Sequence, residues 1–160
     1  MTFKVGDKAV YPAHGVGVIK NIEARQIGGQ DRSFYVLQIV SSGATLMVPT
    51  DACDRAGMRN LIRGEEIDNV YGILKSNGRV SQTTWNRRFR EFNDKLRTGS
   101  VSDVAEVLRD LNTLRVTKEL SFGEKKMMDK AKALIVSEIS HASARTEDDV
   151  DAEISQLMPH

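Results

Sequence analysis

The segment from Thr83 to Phe92 combines aromatic and arginine side chains at spacings that suit contact with nucleic acid. On a helix that turns about 100° per residue, an apolar stripe holds four side chains within about 60° of one another: Trp85, Phe89, Phe92 and Leu96. The cations Arg87, Arg88 and Arg90 lie off that stripe. In minor-groove binders, cations hold phosphates while an apolar ring leans on a base step. The pattern therefore predicts a DNA-binding element.

Two interpretations of this segment stay open from the residues alone. Spacing favours a core position for Trp85, and the arginines are equally compatible with an ordinary solvated helix face. Position favours exposure of the indole, because Trp85 would lie in the first helical turn, where no preceding turn covers the ring. The flanking cations would then surround an apolar wedge. Lys125 and Lys126 predict a weaker second strip for phosphate contact, since acids interrupt the cations there.

No residues are arranged for catalysis or metal binding. The histidines at positions 14, 141 and 160 are widely separated, and none has a cysteine or acid at metal-ligand spacing. Cys53 has no motif around it that would make it a nucleophile. Gly15 and Gly17 suit a strand turn better than a phosphate-binding loop. We therefore expect a binding protein that needs no cofactor, and not an enzyme.

The charge distribution is uneven although the net charge of the 160 residues is only +1. Residues 82–97 hold five cations against two anions, whereas residues 145–157 hold one cation against five. A net charge this low argues against a protein that coats nucleic acid non-specifically. The single cysteine agrees with a reducing compartment. With no long apolar run and no apolar core for a signal peptide near Met1, we expect a cytoplasmic protein without a membrane segment.

The first half of the chain is typical of short strands. Residues 8–11, 15–27, 33–40 and 45–48 are rich in β-branched and aromatic side chains and are separated by glycine turns. Several short strands in so few residues favour a small, strongly bent barrel of the Tudor or SH3 kind over residues 1–52. Phe34 and Met47 could belong to its core, but so small an interior leaves some apolar side chains outside as a docking surface.

After Pro49 the apolar period changes to that of helices. Thr50 and Asp51 could cap a short helix, and helical stripes follow from Glu65, from the threonines at 83 and 84, and from Ser100. Ser121 and Glu124 form a capping box, and Thr146 opens a last, acidic helix. The predicted fold class is α+β: a Tudor-like barrel over residues 1–52 and a compact all-α domain over residues 53–160.

Several blocks in the same order resemble the CarD/CdnL family of bacterial RNA-polymerase-binding transcription factors. They cover nearly the whole chain: Phe3–Asp7, Val10–Gly15, Phe34–Leu37, Met47–Pro49, Thr84–Arg88, Val104–Leu111 and Leu120–Lys125. The resemblance implies a Tudor-like domain that docks on the β subunit of RNA polymerase. It also implies a helical domain that contacts promoter DNA at the upstream edge of the melted −10 region and stabilises the open complex.

The resemblance also assigns residues to these two roles. The polymerase-facing positions match Arg25, Phe34, Met47 and Pro49, and the minor-groove wedge matches Trp85, with Arg87, Arg88 and Arg90 beside it. Met47 departs from relatives that carry arginine there, so an ion pair at this position is in doubt. Phosphate and wedge contacts carry little base information, so we expect weak sequence specificity, and we expect a monomer.

Two rival functions remain at this stage. A DNA-packaging protein would bind free duplex tightly and with strong salt dependence, which the modest charge disfavours. A pure adaptor would bind proteins with both halves and would bury Trp85 in its core.

Overall fold

The computed structural model describes residues 2–78 and 85–159, and for Trp85 it describes the backbone alone. The chain divides between Leu61 and Ile62 into two compact units. The first is built on strands and is called the sheet unit; the second is built on helices and is called the helical unit. The predicted α+β class, with a Tudor-like strand domain followed by an all-α domain, is confirmed.

The sheet unit contains one curled antiparallel sheet in which neighbours along the chain are neighbours in the sheet. Its strands are β1 (Lys8–Tyr11), β2 (Gly15–Ile27), β3 (Gln30–Ile39) and β4 (Thr45–Pro49). The β2–β3 turn needs two residues with positive φ, and Gly28 and Gly29 adopt 61° and 79°. The pairing of β2 with β3 shifts between Ile19 and Asn21, which is an irregularity that bends a strand.

The core of the sheet unit lies on the concave face, where alternate residues of the strands point inward. Ile19, Leu37 and Val48 are almost fully buried there. Cys53 and Met58 are buried in the same cluster, and Arg59 pairs with Val10 on β1. Residues 53–61 therefore belong to the sheet unit, and the division falls later than the predicted boundary after residue 52.

The short helix predicted to begin at Thr50 and Asp51 is wrong, because residues 50–57 form successive turns. The backbone hydrogen bonds here do not all span the same number of residues. Ala52 N donates to Pro49 O, three residues earlier, whereas Ala56 N donates to Ala52 O, four residues earlier. These turns bring Cys53 and Met58 back onto the sheet, so burial of those two side chains outweighs helix continuation.

The helical unit contains α1 (Gly64–Lys75), α2 (Trp85–Arg97), α3 (Val101–Thr117), α4 (Phe122–Ser143) and α5 (Glu147–Leu157). The helix α3 is central and packs against α1, α2 and α4. Its Leu108 and Leu111 are fully buried, as is Ile135 of α4. One continuous core thus fixes where the exposed ends of α2 and α4 lie within this unit.

Three predicted helix starts are confirmed by their caps. The hydroxyls of Ser100, Ser121 and Thr146 each accept a hydrogen bond from the backbone amide three residues later. Ser121 and Glu124 complete a capping box, because the Glu124 carboxylate also accepts from the Ser121 amide at 2.9 Å. The predicted stretch from Glu65 to Leu74 likewise lies within α1.

The end of α4 supplies a first testable prediction. Ala144 follows the helix with φ 55° and ψ 39°, a left-handed conformation that costs an L-residue roughly 1–2 kcal/mol. Glycine removes that cost, but the greater conformational entropy that it gives the unfolded chain lowers the free energy of unfolding by about 0.4–1 kcal/mol. Ala144→Gly is therefore expected to stabilise the helical unit by about 0.5–1 kcal/mol, raising its thermal unfolding midpoint by about 3–5 °C. Ala142→Gly, the same change inside α4, should lower the midpoint; a fall for both variants would contradict the assignment.

Candidate functional site

One face of the sheet collects the residues predicted to contact polymerase. In the strand register, Phe34 lies opposite Pro49, and Val36 lies opposite Met47. Arg25 lies opposite Arg32, two residues before Phe34 on the same strand. Directly paired residues and alternate residues of a strand share a face. This face is called the outer sheet face and consists of Glu23, Arg25, Arg32, Phe34, Val36, Met47 and Pro49.

The outer sheet face is apolar at its centre and carries two arginines, each paired with an acid, on one side. Met47 is 37% exposed, Phe34 is partly buried, and neither belongs to the core cluster on the opposite face. The guanidinium of Arg32 lies 5.7 Å from the centroid of the Phe34 ring, within the range of a cation–π contact. Arg25 is exposed, and its guanidinium lies 3.2 Å from the carboxylate of Glu23. All four predicted contact residues are thus gathered on one surface.

Arg32 is a member of this surface that sequence reasoning missed. Its guanidinium also pairs with the Asp51 carboxylate at 3.2 Å. The ion pair with Asp51 and the contact with the Phe34 ring together fix the position of the Arg32 side chain. The signal that could have identified it is the two-residue strand period, which places Arg32 on the same face as Phe34.

The burial of the predicted apolar stripe of α2 differs between the two halves of the helix. Phe92 and Leu96 are buried in the core of the helical unit, whereas Phe89 is 40% exposed. Trp85 is the first residue of α2, but its side chain lies outside the described part of the structure, so its exposure stays a prediction. The second half of α2 is therefore structural, and its first half carries the candidate surface.

Two of the three predicted arginines of α2 face solvent. Arg87 is 70% exposed and lies 3.5 Å from the Glu91 carboxylate one turn on, and Arg90 is exposed. An exposed pair one turn apart contributes little and exchanges readily with solvent or another anion. Arg87 and Arg90 are thus accessible to phosphate.

Arg88 differs from the two neighbouring arginines. Its side chain is only 15% exposed, and its guanidinium nitrogen lies 3.8 Å from the carboxylate of Glu124, which is 1% exposed. The side chain therefore turns towards the helical unit rather than outward. Sequence periodicity predicted three equivalent cations around a wedge, and the structure distinguishes Arg88 from Arg87 and Arg90.

Glu124 is a buried carboxylate that is held by several donors. Burial alone raises its pKa, but hydrogen bonds from the Ser121 amide and hydroxyl, together with the Lys118 ammonium 3.2 Å away, reverse the shift. The net result is a pKa below the ordinary value for glutamate. Glu124 is therefore ionised at neutral pH and presents a negative charge to Arg88.

The first turn of α4 adds exposed residues beside this pair. Phe122 is 83% exposed, the largest exposure among the large apolar side chains that the structure describes. Lys125 and Lys126 are also exposed, and Lys125 lies 4.0 Å from Glu119. Arg88 in the first turn of α2 pairs with Glu124 in the first turn of α4, so this ion pair joins the two helix starts. This region is called the α2/α4 end and consists of Arg87, Phe89, Arg90, Phe122, Lys125 and Lys126.

Sequence reasoning missed Phe122. The signal was present, since a large aromatic residue at the first position of a helix has no preceding turn to cover it. Lys125 also lines a cleft of about 340 Å³ whose other walls include Arg115, Lys118 and Lys132. Cations outnumber acids around this cleft, so the basic character continues beyond the α2/α4 end.

The candidate residues for catalysis are dispersed in the described structure. Cys53 is buried in the sheet unit, and its sulfur lies 3.5 Å from the Thr50 carbonyl oxygen. His14 packs against the ring of Tyr11 at 5.6 Å, and His160 lies outside the described residues. Within residues 2–78 and 85–159, no three His, Cys, Asp or Glu side chains are grouped as metal ligands. The helices of that same part of the chain are too short or too polar to cross a membrane.

Comparisons with known proteins match both units. Residues 3–62 match the CarD-like/TRCF RID domain, and residues 69–155 match the CarD C-terminal domain. The putative transcription factor YdeB of Bacillus subtilis is 31% identical over 145 residues, which cover 91% of this chain and 95% of that protein. A solved structure, CdnLNt from Myxococcus xanthus, is 44% identical and covers 40% of this chain and 90% of its own, with a TM-score of 0.34.

The two matched domains, in this order and over nearly the whole chain, define a transcription factor that binds RNA polymerase. The chain belongs to the CarD/CdnL family, and the resemblance seen in its motifs is confirmed.

Proposed function

We propose that this protein docks on the β subunit of RNA polymerase through the outer sheet face. The helical unit then contacts promoter DNA in the minor groove, at the upstream edge of the melted bubble, and stabilises the open complex. The observation that carries the proposal is the exposure of both cationic and aromatic side chains at the starts of α2 and α4. That combination suits a phosphate backbone beside a distorted base step.

The outer sheet face supports the docking half of the proposal. Phe34 supplies an aromatic anchor, Met47 an adaptable apolar neighbour, and Arg25 and Arg32 a cationic border. Interfaces concentrate their binding energy in such aromatic and arginine residues. Among the described strands, β4 pairs with β3 alone, so it also offers an edge to which a partner strand can add.

Docking explains how a protein of net charge +1 can act on DNA. Once the sheet unit is bound to polymerase, the helical unit meets the promoter at a high effective concentration, so weak contacts suffice. Phosphate contacts from Arg87, Arg90 and Lys125 position the protein without reading sequence. The proposed contact therefore acts on many promoters in the same way.

Stabilisation of the open complex requires a difference in affinity between two states of the DNA. A ligand that binds open and closed promoters equally shifts nothing, however tightly it binds. An apolar side chain that fits a distorted step, and does not fit regular duplex, supplies that difference. A gain of about 1.4 kcal/mol changes the ratio of open to closed complexes tenfold.

The proposal is tested by measuring promoter opening by purified RNA polymerase with and without the protein. We expect about a tenfold higher ratio of open to closed complexes once polymerase is saturated, because a differential contact of about 1.4 kcal/mol is assumed. Two promoters that differ in sequence upstream of the bubble should respond alike. An unchanged ratio on both promoters, with binding to polymerase demonstrated, would rule the proposal out.

The rival DNA-packaging function is distinguished in the same assay. A packaging protein binds free duplex with strong salt dependence and does not require polymerase. We expect instead that affinity for free duplex is low and that the effect on opening disappears when docking is blocked.

A further inference from the structure

We propose that Glu124 is a positioning residue for the α2/α4 end, and that Arg88 acts by pairing with Glu124 rather than by binding a DNA phosphate. This inference rests on the proposed function, because it assigns a task to two residues beside the proposed DNA contact. It separates the cations of the region into those that touch DNA and one that orders the surface.

The two oxygens of the Glu124 carboxylate have different partners. Oε1 accepts hydrogen bonds from the Ser121 amide at 2.9 Å and from the Lys118 ammonium at 3.2 Å. Oε2 faces the guanidinium of Arg88 at 3.8 Å. One buried group therefore joins the start of α4, the segment that follows α3, and the first half of α2.

For Arg88, binding a phosphate would be less favourable than keeping its ion pair with Glu124. Glu124 is 1% exposed and Arg88 is 15% exposed, so removing Arg88 leaves a buried carboxylate with less compensation. Breaking a buried ion pair by withdrawing one partner is strongly unfavourable. Arg87 and Arg90 are exposed nearby on the same helix and can bind phosphate without that penalty.

The pair also joins the first half of α2 to the start of α4. Phe92 and Leu96 are buried in the core, and the Lys95 ammonium lies 2.9 Å from Glu106 of α3. These contacts fix the second half of α2. Arg88, in the first half, connects that half to Glu124, which follows Phe122 by two residues on α4.

The salt dependence of DNA binding separates a phosphate contact from a positioning contact. Each phosphate that a cation neutralises contributes about 0.9 to the slope of log affinity against log salt. The full-length protein is titrated with a forked duplex at a series of KCl concentrations. Arg87→Gln and Arg90→Gln are each expected to lower the slope by about 0.9. Arg88→Gln is expected to weaken binding severalfold at every salt concentration and to leave the slope unchanged.

Glu124→Gln tests the partner, since glutamine can still complete the capping box while it removes the charge that faces Arg88. We expect Glu124→Gln to weaken binding severalfold. The double variant Arg88→Gln/Glu124→Gln should bind no more weakly than the weaker single variant, because both substitutions remove one interaction. The double variant removes both charges of the pair and leaves only the ammonium of Lys118, whose side chain is 46% exposed, without its carboxylate partner. It therefore remains informative if a single variant is too unstable, and its slope should equal that of the unmutated protein.

The outcomes distinguish this inference from the proposed function. A slope that falls for Arg88→Gln as much as for Arg87→Gln, or additive losses in the double variant, would overturn the positioning role and leave the proposed function intact. An unmutated protein that stabilises no open complex and binds no forked duplex would instead overturn the proposed function. Thermal unfolding of every variant confirms that binding is measured on folded protein.

Discussion

Replacing Phe34 by alanine is expected to raise the Kd for RNA polymerase about thirtyfold, which corresponds to about 2 kcal/mol. The ring lies on the middle one of the three strands that build the outer sheet face, opposite Glu23 on β2 and Pro49 on β4. Its removal deletes the apolar centre of that face and also the ring over which Arg32 lies. Aromatic residues at the centre of an interface cost most when they are truncated.

The measurement is a binding titration with purified polymerase core enzyme. Val5→Ala is the matched control, because Val5 is 60% exposed but precedes β1 and is not part of the outer sheet face. Its Kd should equal that of the unmutated protein. Thermal unfolding should confirm that Phe34→Ala retains the fold, which is expected because Phe34 is not part of the buried core cluster. If both variants bind polymerase equally well, the outer sheet face is not the docking surface.

Most of the fold follows from local patterns that a single sequence carries. Strand β3 alternates between side chains of the core, such as Leu37, and side chains of the outer sheet face, such as Phe34. That two-residue period is visible without any structure. The starts of α3, α4 and α5 were predictable because Ser100, Ser121 and Thr146 cap them through bonds that span only three residues.

The features that escaped prediction depend on contacts between distant parts of the chain. The turns at residues 50–57 replace a predicted helix because Cys53 and Met58 pack against strands formed much earlier. Arg88 faces inward because its partner, Glu124, lies on another helix. Helical periodicity treats Arg87 and Arg88 alike, since it contains no information on what packs beside α2.

The candidate surfaces fall between these two cases. Sequence and resemblance together named Arg25, Phe34, Met47 and Pro49, but only the strand register places all four on one face and adds Arg32. At the α2/α4 end, the exposure of Phe122 follows from its place at a helix start, whereas the link between the starts of α2 and α4 is the Arg88–Glu124 pair. Registers and pairs of this kind form between elements, so they appear only once the chain is folded.

Trp85→Ala is expected to remove most of the roughly tenfold gain in the ratio of open to closed promoter complexes that the unmutated protein produces. As a minor-groove wedge, the indole would offset part of the free energy of unstacking a base step, which is a few kcal/mol. About 1.4 kcal/mol of that free energy changes the ratio of open to closed complexes tenfold. Polymerase affinity should be unchanged, because docking is assigned to the sheet unit. The measurements are the open fraction and the bubble lifetime after a competitor is added.

Two readouts make the Trp85 prediction specific. Phe89→Ala removes another apolar side chain of α2, 40% exposed, and should reduce opening much less, because Phe89 lies one turn behind the helix start. Trp85 is the only tryptophan, so its fluorescence reports one site. An exposed wedge gives emission that is red-shifted, quenched by iodide and protected by forked DNA. Blue-shifted emission that iodide does not quench, together with normal opening by Trp85→Ala, would place the indole in the core and assign the DNA contact to the remaining residues of the α2/α4 end.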